Sequence, residues 1–301
     1  MRTEISAAQL GAIASQSFSK AKSGTIGHVI ASFQNSFYIR TYADELIFIT
    51  NRPLESPITV NVTSNFNFEK LALTNSSVTL REDQILIGDL AIRMETVQPH
   101  ERPTKSLLDT KLRIDRNALR RVVFIIGILD VSLSVLDAKG ISHEQTRKFA
   151  RTSATALRDS FSLETFMHEA LALVGLGAGF TPSGDDLLGG FLATWNSLAE
   201  VVDRSKVVLD FGLLSDRTSW ISAKLLDYMQ RELLDAQLSH AILSAALDNE
   251  DEFVLAVEAL IPRGHTSGLD ISTGMIIALS LILDIANNTL YTETLLNQLG
   301  L

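Results

Sequence analysis

The sequence predicts an α+β protein. A small antiparallel β-rich domain, sheet or barrel, with a short N-terminal helix occupies residues 1–100, and a mainly α-helical domain occupies 106–301. Three observations predict this. From Gly24 to His100, short runs rich in Val, Ile, Thr, Phe and Tyr are punctuated by Asn, Asp, Gly, Ser and Pro, the texture of closely spaced strands and turns. Beyond residue 106 it gives way to long apolar or helically periodic runs. Between the two lies "QPHERPTKS" (98–106), with two of the six prolines among polar neighbours, which reads as the domain boundary.

In chain order, residues 6–21 read as a short amphipathic helix. "GHVIASF", "SFYIRTY", "ELIFIT", "PITVNVT", "SVTLRE" and "ILIGDLAIRM" supply the strands, and "ITVNV" and "FYIRTY" approach strict alternation. The helical part begins with "LLDTKLRIDRNALRRVVFIIGILDVSLSVL" and ends with "DISTGMIIALSLILDIANN". Its most apolar runs are "VVFIIGIL" (122–129), bracketed by Arg120, Arg121 and Asp130, and "ISTGMIIALSLIL" (271–283), bracketed by Asp270 and Asp284. Both fall short of the ~20 residues that span a bilayer, so both read as buried helices. The N-terminus lacks a long apolar segment and carries Glu4, unlike a secretory signal.

Composition narrows the functional classes. Of 301 residues, 46% are hydrophobic and 20% charged, enough apolar material for a sizeable core. The net charge is −9 and no Lys/Arg run exceeds two residues, which argues against a nucleic-acid surface; no membrane partner is expected either. There is no cysteine, which excludes disulfides, thiolate catalysis and Cys-ligated zinc and is compatible with a cytoplasmic location. His28, His100, His143 and His240 show no metal-ligand spacing. His168, in "FMHEALALV", reads as a core or boundary histidine, and Trp195 and Trp220 as packing residues.

Chemistry concentrates in "GLGAGFTPSGDDLLGG" (175–190), which holds six glycines, a Thr-Pro-Ser turn and two adjacent aspartates. Gly177 and Gly179 open backbone conformations closed to other residues. Pro182 belongs near the first turn of the following helix, and Ser183 and Asp186 have capping-box-like spacing. A well-capped helix is thus the plain reading. Against it, Thr181, Ser183, Asp185 and Asp186 offer more acceptors than one cap requires. The pattern also recurs in "GHTSGLDISTG" (264–274): Ser183, Gly184, Asp186 and Gly190 align with Ser267, Gly268, Asp270 and Gly274 at a constant offset, 267 − 183 = 84. The shared S-G-x-D-x3-G pattern predicts two converging helix N-termini, each presenting a serine, backbone N–H groups and an aspartate. Gly190 and Gly274 would permit close backbone approach. Two ligands suit amides and carboxylates together. One is an anion bridged by Mg²⁺, with Asp185, Asp186 and Asp270 as the candidate metal ligands. The other is a carbamoyl or ureido group, whose carbonyl accepts from N–H and whose NH₂ donates to a carboxylate.

"GLGAGFTPSGDD" together with "GHTSGLD" resembles the AllH-like family, and "RTSATALRDSF" (151–161), with Ser153 and Thr155, is a weaker third stretch. Ala178 stands where the family commonly has proline, and Leu269 where it commonly has an aromatic residue, a change expected to alter substrate shape. The resemblance implies a subunit of an oxamate carbamoyltransferase of allantoin degradation, with FdrA-like and AllG-like partner subunits. It also implies phosphorolysis of oxalurate to oxamate and carbamoyl phosphate. On that reading His265, Asp186 and Asp270 are the catalytic candidates, with His265 the natural proton carrier. Gly177, Gly179, Thr181, Ser183, Gly184, Asp185, Thr266, Ser267 and Gly268 are the substrate-binding candidates, with backbone amides of the 177–184 turn stabilising an oxyanion. No arginine cluster accompanies either motif; Arg151 and Arg263 are the nearest, so a partner is expected to complete the phosphate site. Non-catalytic docking of an FdrA-like partner, or stand-alone binding of a small ureido or carboxylate metabolite, are the alternatives.

Overall fold

The computed structural model describes residues 3–21, 23–94, 117–119, 121, 141–160, 162–247, 249–264 and 266–298. The chain divides into two compact units, Met1–Thr104 and Lys105–Leu301. The 98–106 segment and the apolar run 122–129 lie outside the described residues.

The first unit is a closed eight-stranded barrel. Its strands are β1 (Thr3–Leu10), β2 (Gly24–Ser32), β3 (Ser36–Thr41), β4 (Leu46–Thr50), β5 (Thr59–Val62), β6 (Ser77–Arg81), β7 (Gln84–Ile87) and β8 (Leu90–Arg93). They close in the order β1-β5-β4-β3-β2-β6-β7-β8. The alternation seen in "FYIRTY" is realised: Phe37, Ile39 and Thr41 point into the barrel while their neighbours face outward. Phe37 meets Phe68 edge to face at 5.1 Å, and Val29, Ile47, Ile49, Val60, Val78, Ile85 and Ile92 pack around them. The interior is therefore a side-chain core, as expected for eight strands.

Two expectations need correction. The sheet is not wholly antiparallel, since β1 runs parallel to β8 and β4 parallel to β5; closing the barrel joins strands whose connections are not hairpins. And residues 6–21 are not one helix. Thr3–Leu10 is strand, and only Ala12–Ala21 is helical (α1). The polar-apolar spacing of "TEISAAQL" also fits period 2, and Ile5, Ala7 and Leu10 face the barrel core.

The second unit is helical among its described residues: α2 (Ile141–Thr155), α3 (Leu163–Leu173), α4 (Ser183–Leu198), α5 (Phe211–Ser215), α6 (Trp220–Gln230), α7 (Ala236–Ala246), α8 (Glu250–Leu260), α9 (Ser267–Asn287) and α10 (Tyr291–Gln298). Its centre is the pair α4 and α9, buried along nearly their whole lengths. A helix that is apolar on every side has to be surrounded by others. Phe191 and Trp195 of α4 stack with their ring planes 8° apart, and Phe149 and Phe166 close on Phe191 from α2 and α3. The apolar run 271–283 belongs to a 21-residue helix, longer than the run itself, which by length and composition could cross a membrane. In this unit 89% of its most apolar window is buried, and it is the core helix.

Candidate functional site

The glycine-rich stretch is the connection from α3 to α4. α3 stops at Leu173, and Gly177 and Gly179 carry the chain outward at φ +104° and +113°, left-handed values that disfavour any side chain. Pro182, with φ −57°, is the N-cap residue of α4, and Ser183 is its first helical residue. The expected capping box therefore does not form. Proline has no side-chain acceptor, so its carbonyl does the work, accepting from the amides of Asp185 (2.9 Å) and Asp186 (3.1 Å). At α9 the N-cap is Thr266, again with no side-chain cap, and its carbonyl accepts from the Asp270 amide at 3.0 Å. At neither helix does the N-cap residue supply a side-chain acceptor, and Asp186 and Asp270 lie within the first turns.

The two motifs meet. Thr181 Oγ1 donates to Asp186 Oδ2 at 3.0 Å and lies 3.2 Å from Ser267 Oγ of the second motif. The Ser267 hydroxyl donates to Asp186 as well. Asp270 is fully buried and close enough to Asp186 for their charges to repel. Burial pushes the Asp186 carboxyl up to about 7; the bonds from Ser267 and Thr181 oppose that rise, while repulsion by Asp270 and then Asp185 adds to it. The cluster is thus one titrating carboxyl, a second buried carboxyl and two hydroxyls, gathered where two helix N-termini point.

The other predicted residues fall into different places. Asp185 turns toward α6. It accepts from the Gly175 amide (2.7 Å), Thr218 Oγ1 and Ser222 Oγ (2.6 Å), and burial raises its carboxyl against these bonds. It anchors the loop from below. Thr218 and Ser222 carry no local sequence signal, lying 33 and 37 residues away from their partner. The three aspartates do not converge, and among the described residues no group of three or more His, Asp or Glu side chains is placed to hold a metal ion. Ser183 is buried beneath Gly177. The Gly184 amide donates to the Leu176 carbonyl and the Gly268 amide to the Arg263 carbonyl, so these two N–H groups support the turns. Gly177, Ala178 and Gly179 are exposed, while Thr181, Thr266 and Ser267 are half-buried. His265 lies outside the described residues. Leu269 is buried in the helical core, so its side chain packs there rather than shaping a ligand. Arg263 is paired with Asp235 at the start of α7, and Arg151 bonds Asn297 at 3.0 Å. His168 is not a core residue: its side chain is 76% exposed and contacts Glu169. Trp195 is fully buried packing, with Nε1 donating to the Ser205 carbonyl.

Fold and site together define a class: a chain with a β-barrel unit and a helical unit, the latter holding two Ser-Gly-x-Asp helix starts that share one hydrogen-bonded cluster. Residues 173–279 match the family described as oxamate carbamoyltransferase subunit AllH. The match takes in both motifs and everything between them; the barrel and the 151–161 stretch lie outside it. No curated protein and no solved structure matches the chain.

Proposed function

We propose that this chain is a cytoplasmic subunit of an oxamate carbamoyltransferase-type enzyme, acting in allantoin and purine catabolism with FdrA-like and AllG-like partners. The observation that carries the reading is the joint cluster of Thr181, Asp186 and Ser267, within the segment that matches the AllH family. A ureido group offers an NH₂ donor and a carbonyl acceptor side by side. The cluster offers a carboxyl that exists in both protonation states near neutral pH, and two hydroxyls that donate or accept. Among the ligands weighed, the carbamoyl or ureido group fits this donor set, and a Mg²⁺-bridged anion has less support because Asp185 faces away.

In phosphorolysis a phosphate oxygen attacks the ureido carbonyl carbon. The C–N bond to the oxamate nitrogen then breaks, that nitrogen gains a proton, and the attacking phosphate releases one. Asp186, titrating at about 7, is matched to that proton delivery, and the Thr181 and Ser267 hydroxyls are placed to orient the carbamoyl group. Phosphate needs cations, and Arg263 is already committed to Asp235; this favours a site completed by a partner subunit. The test is an oxalurate phosphorolysis assay on the purified chain, alone and with the FdrA-like and AllG-like subunits. Carbamoyl phosphate formed only when this chain is present supports the proposal. Equal formation without the chain would remove it from the reaction.

A further inference from the structure

The packing of α4 on α9 is reciprocal about the 84-residue offset. A Cβ built on Gly190 would lie 2.0 Å from the Ile271 carbonyl oxygen, and one built on Gly274 would lie 1.9 Å from the Leu187 carbonyl oxygen. Leu187 and Ile271 are themselves related by the offset, 271 − 187 = 84. Each glycine of one helix thus rests on the backbone of the other at the equivalent position. Gly190 is seven residues into its pattern from Ser183, and Gly274 seven from Ser267, roughly two turns in each case. The crossing point is equidistant from the two helix starts whose side chains meet at Thr181, Asp186 and Ser267.

We infer that Gly190 and Gly274 are positioning residues of the site: their backbone-to-backbone contact fixes the separation of the two helix N-termini, and with it the Thr181–Ser267 distance. The clash is with backbone, which cannot swing aside as a side chain would. A methyl group at either position forces the helices apart by roughly 1 Å or more, since a close-packed interior has no slack to absorb it. A displacement of that size, carried two turns along each helix, breaks the 3.2 Å contact between Thr181 and Ser267. Gly189 is the internal control. Its Cβ would meet the end of the Met229 side chain, an adaptable group, so alanine there adds the same helix propensity without wedging α4 from α9.

The geometric claim stands without the carbamoyl reading; only its consequence for catalysis rests on it. Because the chain has no cysteine, a Thr181→Cys/Ser267→Cys protein has one possible intramolecular disulfide. Its oxidation rate is measured with both glycines intact and after adding Gly189→Ala, Gly190→Ala or Gly274→Ala, with a thermal melt on each reduced protein. The expected result is ready closure with both glycines intact and in the Gly189→Ala protein, and closure slowed at least tenfold by Gly190→Ala and by Gly274→Ala in folded protein. Unchanged closure in those two variants overturns the proposal. Should they fail to fold, the protein with both glycines intact decides: a folded double-cysteine chain that does not oxidise shows the N-termini are not held together. Oxalurate binding by the glycine-to-alanine variants on the wild-type background, followed by calorimetry, reports separately on the ligand reading. Its loss in Gly190→Ala but not Gly189→Ala links the crossing to the carbamoyl site.

Discussion

Asp186 is buried, repelled by a second carboxyl and yet kept near two hydroxyls, and its titration follows from that. Its folded-state value of about 7 stands above the ordinary 3.8, so the folded chain holds a proton that the unfolded chain releases near pH 4. The resulting stabilisation is complete below that pH and is lost as pH rises toward and through 7. At pH 8 the burial of this charge costs on the order of 4 kcal/mol. Asp186→Asn keeps an acceptor for Thr181 and Ser267 and removes the charge. It is therefore expected to raise the melting temperature at pH 8 by about 5–10 °C and to flatten the pH dependence between 4 and 7; melts at pH 4.5 and 8 check both. Asp185 is also raised by burial, but its carboxylate is an anchor that accepts three hydrogen bonds. Asp185→Ala leaves the Gly175 amide and two hydroxyls without their acceptor and should destabilise the chain by roughly 2–4 kcal/mol, seen as a lower denaturant midpoint. Both aspartates stood out in the sequence, but their division of labour did not. It depends on Thr218 and Ser222, which only the packing of α6 brings near.

At the scale of elements, reading succeeded where one period dominated and failed where two fitted. "FYIRTY" alternates and is β3, whereas "SAAQL" (6–10), read as the start of the helix over 6–21, belongs to β1, which pairs with β5 and β8. The S-G-x-D-x3-G repeat was legible as two helix starts, but its capping register was not. One residue's shift makes Pro182 the N-cap, with its carbonyl accepting from the Asp185 and Asp186 amides. Asp284 shows the same limit. In the sequence it merely closes an apolar run. In the fold it accepts from the amides of Tyr291 (2.6 Å) and Thr292 (2.8 Å) and from Thr289 Oγ1, tying the start of α10 to the end of α9. Asp284→Ala should release α10 while the rest of the helical unit holds, at a cost of about 1–3 kcal/mol. Hydrogen exchange would then show protection lost over residues 291–298 and kept in α4.

Across the whole molecule, two units of different texture share one chain. Each has its own core, rich in Ile and Val in the barrel and in Leu and Ala among the helices. Limited proteolysis is expected to cut first near residues 98–106 and yield a β-rich and a helical fragment by circular dichroism; a first cut between β2 and β7 would contradict this division. The candidate site lies in the helical unit, and the proposed function requires that two distant segments act on one ligand. A double-mutant cycle tests this most directly. Oxalurate binding is measured by calorimetry on the wild-type chain, Asp186→Asn, Asp270→Asn and the double variant, assembled with the partner subunits if the isolated chain does not bind. Each single substitution is predicted to weaken binding about ten- to a hundredfold, and the double variant to lose clearly less than the two effects combined. Wild-type affinity in both single variants, or strict additivity between them, would contradict a shared site.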